Sequence, residues 1–105
     1  LKFNLTVAAA SLLAVSLATP AFAQTSGADV YKKCQGCHGA TGAGNAGMKI
    51  ASFKSPAVVK ESDAALTATI KNGGGAGPIK MPAYAGKLSD DQIKAVVGYI
   101  RTLQK

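Results

Sequence analysis

The chain has 105 residues, a formal net charge of +7, two cysteines, one histidine and no tryptophan. A domain of that size buries a limited core and usually needs a disulfide, a metal or another staple, yet Cys34 and Cys37 stand three apart and a bridge between them would constrain little. The positive balance favours acidic partners, while the scattered lysines and the absence of a glycine-rich phosphate motif argue against nucleic acid.

Residues 1–23 read as a cleavable secretory signal. Lys2 supplies the charged start, Leu5 to Ala18 is apolar apart from Thr6, Ser11 and Ser16, Pro20 breaks the run, and Ala21-Phe22-Ala23 offers small residues for cleavage. The run falls short of the roughly 20 apolar residues of a membrane span, so no stable membrane insertion is expected once it is removed. Residues 24–105 are left as one domain, with 11 basic and 5 acidic residues. Export points to the periplasm, or to the thylakoid lumen in a photosynthetic organism.

Within that domain, Gly27 to Gln35 predicts a short helix with Val30, Tyr31 and Cys34 on one face. Gly42 to Gly47 is a glycine-rich loop. Ser55-Pro56 resembles a helix start. Ser62 opens a better one, with Leu66 and Ile70 on one face and Gly73 as a left-handed cap. Gly73 to Pro78 excludes regular structure, and Pro82 holds Met81 extended. The last helix is the clearest: Ser89 and Gln92 form a capping box, Asp90 and Asp91 suit the first turn, and Ile93, Val96, Val97, Ile100 and Leu103 make one apolar stripe. No convincing strand appears, so the fold class is all-α with long loops, and loops of that length in so small a domain usually wrap something.

Cys34-Gln35-Gly36-Cys37-His38 is C-x-x-C-H, the attachment signature of c-type haem. On a helical turn both thiols share a face and can reach two vinyl groups on one porphyrin edge, and the adjacent histidine then lies beneath the ring, within reach of the iron. A redox dithiol needs a strand–helix unit, which this chain lacks. A zinc site needs four ligands, and Cys34, Cys37 and His38 are only three. One covalently bound haem c, with its iron, is therefore the expected cofactor, held by Cys34 and Cys37 as thioethers and by His38 as one axial ligand.

The segment from Gly27 to His38 resembles the first helix of class I cytochromes c. The segment from Lys80 to Arg101, which begins Lys-Met-Pro, resembles their methionine loop and last helix, in the style of the small soluble monohaem carriers of bacteria and algae. The resemblance implies short helices and long loops around one haem, with the first and last helices crossing at Gly27, Tyr31 and Tyr99. Many members place a proline after the histidine, whose carbonyl accepts the other imidazole N–H. Residues 40–55 hold none, so some other backbone carbonyl is expected in that role.

An electron carrier wants both axial positions filled, and a methionine opposite histidine raises the potential. Met81, its proline neighbour and the resemblance together point to the sixth ligand. Met48, ten residues past His38, reads as apolar filler. Phe53 and Tyr84 are expected beside the haem, and Lys32, Lys33, Lys49 and Lys80 around its exposed edge. The reading is a monomeric, soluble, periplasmic carrier that shuttles single electrons between larger redox proteins or membrane complexes with acidic docking surfaces. It transforms no substrate, so no catalytic residue is assigned. The alternatives are a haem subunit or sensor dedicated to one complex and, more weakly, a haem enzyme with an open sixth site, for which no second histidine supplies acid–base chemistry.

Overall fold

The computed structural model describes residues 26–105; the proposed signal at residues 1–23 lies outside them. Five α-helices follow in order: α1 Gly27–Tyr31, α2 Gln35–His38, α3 Pro56–Val59, α4 Asp63–Asn72 and α5 Asp90–Leu103, with one 3-10 turn at Ala46–Met48. Among the described residues there is no strand. Two isolated antiparallel bridges, Asn45 with Ile50 and Gly74 with Met81, close loops instead.

The single helix expected over Gly27–Gln35 is two. After Tyr31 the amides of Lys33 and Cys34 bond back three residues, to Val30 and Tyr31 (3.1 and 2.8 Å), which tightens the chain into turns before α2 begins. The start signals hold elsewhere. Ser62 Oγ accepts from the Ala65 amide at 3.0 Å, Pro56 stands in the first turn of α3, and Ser89 with Gln92 forms the reciprocal capping box. Gly73 ends α4 with φ 65° and ψ −157°, which is not the left-handed cap expected of it. A side chain there would collide with the backbone of Met81 and Pro82, so glycine serves a close approach between the end of α4 and the methionine segment.

The core lies where α1 crosses α5. Tyr31, Ile93 and Val96 are its most fully buried side chains, joined by Val30, Val97, Ile100 and Leu88. Burying a side chain of this size contributes about 1.5–3 kcal/mol. The crossing is close: a Cβ on Gly27 would overlap the Ala95 carbonyl oxygen and lie 2.8 Å from the Tyr99 Cβ. The rings of Tyr31 and Tyr99 meet at 5.2 Å. The crossing therefore uses the three residues the sequence suggested. Helix α4 adds Leu66 and Ile70 to the core and is tied to α5 by Arg101, whose Nε donates to Asp63 Oδ1 at 2.9 Å and whose Nη2 donates to the Glu61 carbonyl. No described helix is long and apolar enough to cross a membrane.

Candidate functional site

The Cys34 carbonyl accepts from the amides of both Cys37 (3.2 Å) and His38 (3.0 Å), which closes one helical turn around the pentapeptide. Cys34, Cys37 and His38 thereby line a cavity of about 350 Å³, and the two cysteines form no disulfide. Cys34 is half-buried and packs on the core, whereas Cys37 is exposed.

His38 is held from two directions. Phe53 stacks on its ring at 5.0 Å, with 23° between the planes, and Phe53 meets Tyr31 edge-on at 6.2 Å. The Tyr31 hydroxyl donates to the carbonyl of Gly39, the next residue, at 2.6 Å. Burial pushes the His38 imidazole below its ordinary value and so favours the neutral form that binds metals. Its Nδ1 is buried with no hydrogen-bond partner among the described residues. The carbonyl expected to accept that N–H is thus not in place, and the ring is oriented by stacking.

A further part of the cavity lining comes from the segment after α4. The backbone of Met81 and Gly74 exchanges two hydrogen bonds of 2.9 Å, and the Tyr84 amide donates to the Ile70 carbonyl at 3.0 Å. These bonds pin Met81 and Tyr84 as wall residues, along with Leu66 from α4. Burial raises the Tyr84 hydroxyl. Met48 also faces the cavity, so both methionines of the chain line it. Lys33, Lys49 and Lys80 stand along the wall, but Lys32 does not; it pairs with Asp29 at 3.1 Å on the surface.

Glu61, the one acidic residue on the wall, escaped the sequence reading, as did Gly77. Glu61 lies between two short helices with no periodic signal. Gly77 is one glycine among four in a six-residue stretch, and nothing local marks it.

The donor set suits a porphyrin better than a bare ion. No three His, Cys, Asp or Glu side chains among the described residues come together as a metal-binding group. What the cavity presents is a largely apolar wall, two thiols on one helical turn and a neutral imidazole beside them. These groups fit a covalently anchored macrocycle whose iron needs an axial nitrogen.

Comparison with known proteins points the same way. A family described as "Cytochrome C oxidase, cbb3-type, subunit III" matches residues 22–100. The chain belongs to the cytochrome c family. It is 35% identical over 108 residues to cytochrome c6 of a Synechococcus strain, covering 95% of this chain and 91% of that one. It is 38% identical over 94 residues to the cytochrome c subunit of a quinone alcohol dehydrogenase of Gluconacetobacter polyoxogenes, covering 82% of this chain but only 20% of the subunit, so the chain spans about a fifth of that relative. Among solved structures, the KustC0563 c-type cytochrome superposes with a TM-score of 0.64 at 26% identity, over 76% of this chain and 99% of that one. This cytochrome c accordingly carries covalently bound haem c with its iron.

Proposed function

We propose that this cytochrome c is a soluble periplasmic carrier of single electrons, its haem anchored through Cys34 and Cys37 and its iron held between His38 and Met81. What supports the reading is the lining of one cavity, which brings the C-x-x-C-H residues together with Met81, whose backbone is bonded to Gly74. The haem, when bound, supplies the one-electron iron couple; the chain's residues fix how that couple behaves. Stacking by Phe53 holds the His38 plane, and burial keeps its imidazole neutral. The bridge between Gly74 and Met81 fixes the backbone from which the Met81 thioether would reach the iron. With His38 and Met81 both holding the iron, a change of charge would require little reorganisation and would leave no open site for substrate, so this reading assigns no enzymatic step. Residues 1–23 would be removed on export.

The test is a paired substitution. Met81→Ala should abolish the weak sulfur-to-iron charge-transfer band of the oxidised protein, lower the potential and admit imidazole, cyanide or carbon monoxide. Met48→Ala should leave all three close to native. The opposite pattern would move the sixth ligand to Met48, and an unmutated protein that lacks the band and binds ligands freely would bring back the open-site enzyme or sensor.

A second reading, a haem domain serving one fixed complex, draws on the 38% identity to the dehydrogenase subunit. The two separate on purification from native cells: a carrier runs as a monomer and reduces more than one partner, whereas a dedicated domain stays with one complex.

A further inference from the structure

Two short loops face each other at the cavity, and both are closed at the base in the same way. The first runs from Asn45 to Ile50 and the second from Gly74 to Met81; in each, the two end residues exchange N–H···O bonds of 2.9 Å. The first follows His38 and the second ends on Met81, and residues of both line the cavity. Their tips touch. Gly77, buried at the tip of the second loop, sits so close that an added Cβ would overlap the Met48 carbonyl oxygen and lie 3.4 Å from the Lys49 Cβ.

The first tip is held in a costly shape. Asn45 Oδ1 accepts from the Met48 amide at 3.1 Å. Lys49 is the one non-glycine residue with positive φ among the described residues, at φ 55° and ψ 37°. A long side chain stays in that left-handed region only where its surroundings enforce it, and such residues cluster at functional sites. The second loop is braced from within, as Lys80 Nζ donates to the Gly75 carbonyl at 2.5 Å.

We infer that the contact between Gly77 and the Met48 carbonyl is a clasp closing the haem cavity, and that Gly77 is a positioning residue for Met81. The inference rests on the reading of Met81 as an axial ligand. The bridge to Gly74 tethers the second loop at its base alone. Contact at the tip supplies a second tether, and with two the methionine sulfur keeps a fixed reach. Loosening the tip should therefore free Met81 even though the perturbed residue touches neither the iron nor Met81.

The haem-loaded protein is titrated with imidazole while the sulfur-to-iron band and the potential are followed. Gly77→Ala should tighten imidazole binding by about tenfold or more, weaken the band and lower the potential. Asn45→Ala, which loosens the tip on the histidine side and leaves the methionine loop intact, should shift all three the same way, with about a fivefold effect on imidazole. Gly86→Ala, whose Cβ would meet nothing within 4 Å, should match the native protein. Should Gly77→Ala fail to fold, Asn45→Ala carries the test. Native imidazole affinity with only a lowered melting temperature in these variants would show a packing contact and overturn the clasp. If Met81→Ala retains the band, the axial assignment fails and the clasp falls with it; if Met81→Ala loses the band while Asn45→Ala and Gly77→Ala bind imidazole natively, the clasp alone is wrong.

Discussion

Two glycines one α5 turn apart in their environment should respond to the same substitution with opposite sign. Gly27 opens α1 where it crosses α5, and a Cβ there would overlap the Ala95 carbonyl oxygen, with the Ala95 carbonyl carbon at 2.9 Å and the Tyr99 Cβ at 2.8 Å. Two of these three neighbours are backbone atoms of a helix interior and cannot turn aside, so the helices must separate. Overpacking of this kind costs about 1–3 kcal/mol, and at about 4–8 °C per kcal/mol for a domain of this size Gly27→Ala should lower the melting temperature by about 5–20 °C. Gly98 lies within α5, exposed, with nothing within 4 Å of its Cβ position. There the substitution gains helix propensity and restricts the unfolded chain, so Gly98→Ala should stabilise by about 0.5–1 kcal/mol. The assay is thermal unfolding of the haem-loaded protein followed by far-ultraviolet circular dichroism. A Gly27→Ala protein as stable as the parent, or a Gly98→Ala protein less stable, would refute the crossing geometry.

Arg101→Ala removes the bond to Asp63 and the bond to the Glu61 carbonyl, and should cost about 1–2 kcal/mol in denaturant unfolding, since charged hydrogen bonds are worth more than neutral ones. Electron transfer to an acidic partner should slow as salt rises from about 0.01 to 0.1 M, where the screening length contracts from about 30 to 10 Å. Lys49→Gln and Lys80→Gln should flatten that dependence, Lys32→Gln should not, and a rate indifferent to salt in the parent would exclude steering. Tyr31 holds its proton to about 12, above the ordinary 10, chiefly because it is buried, with Cys34 and Tyr99 adding. The unfolded chain gives up that proton first, so stability is fully present below pH 10 and is lost as pH rises towards 12; Tyr31→Phe should lose the Tyr31 part of this alkaline decline, measured by unfolding across that range.

How much of this was legible in the sequence follows from how far each signal reaches along the chain. The C-x-x-C-H turn, the capping box of α5 and the start of α4 depend on residues three or four apart, and they stand where the sequence placed them. The crossing of α1 and α5 came from resemblance, because no local pattern pairs Gly27 with Ala95. The break after Tyr31 was missed because the apolar face runs on through Cys34, whereas three-residue bonds decide the turn. Gly73 ends α4 as expected, yet its conformation answers to Met81 and Pro82, which come close only in the folded chain. The same holds for the site. Cys34, Cys37, His38 and Met81 could be named from motif and position, and all four line one cavity. Lys32, expected with Lys33 around the haem edge, lies in the turn after α1 and pairs with Asp29 instead. Glu61 and Gly77 reach the cavity through loop paths that no periodicity encodes.

The cavity also sets an expectation for the chain without its haem. Its volume is about 350 Å³, and unfilled space in a folded core costs about 24 cal/mol per Å³, which gives about 8 kcal/mol as an upper value because the cavity is open on one side. A domain of some 80 residues has only about 4–12 kcal/mol of stability in all. The packed core at the α1–α5 crossing lies beside the cavity, and Phe53 and Leu66 belong both to that core and to the cavity wall. Two outcomes are open to an empty chain: the walls collapse inward, or the loops from Asn45 to Ile50 and from Gly74 to Met81 unfold. Collapse is blocked in part by backbone, since Gly44, Gly73 and Gly77 already bring main chains together with no room for a Cβ. Unfolding of the loops releases Met81 and strips cover from Phe53 and Leu66. The double variant Cys34→Ala/Cys37→Ala, which cannot anchor haem covalently, should therefore lack cooperative thermal unfolding, bind a hydrophobic dye and lose most helical dichroism, and added free haem should restore only part of it. A double variant that melts cooperatively near the temperature of the haem-loaded protein would show that the α1–α5 crossing suffices alone and that the cavity is not what limits the fold.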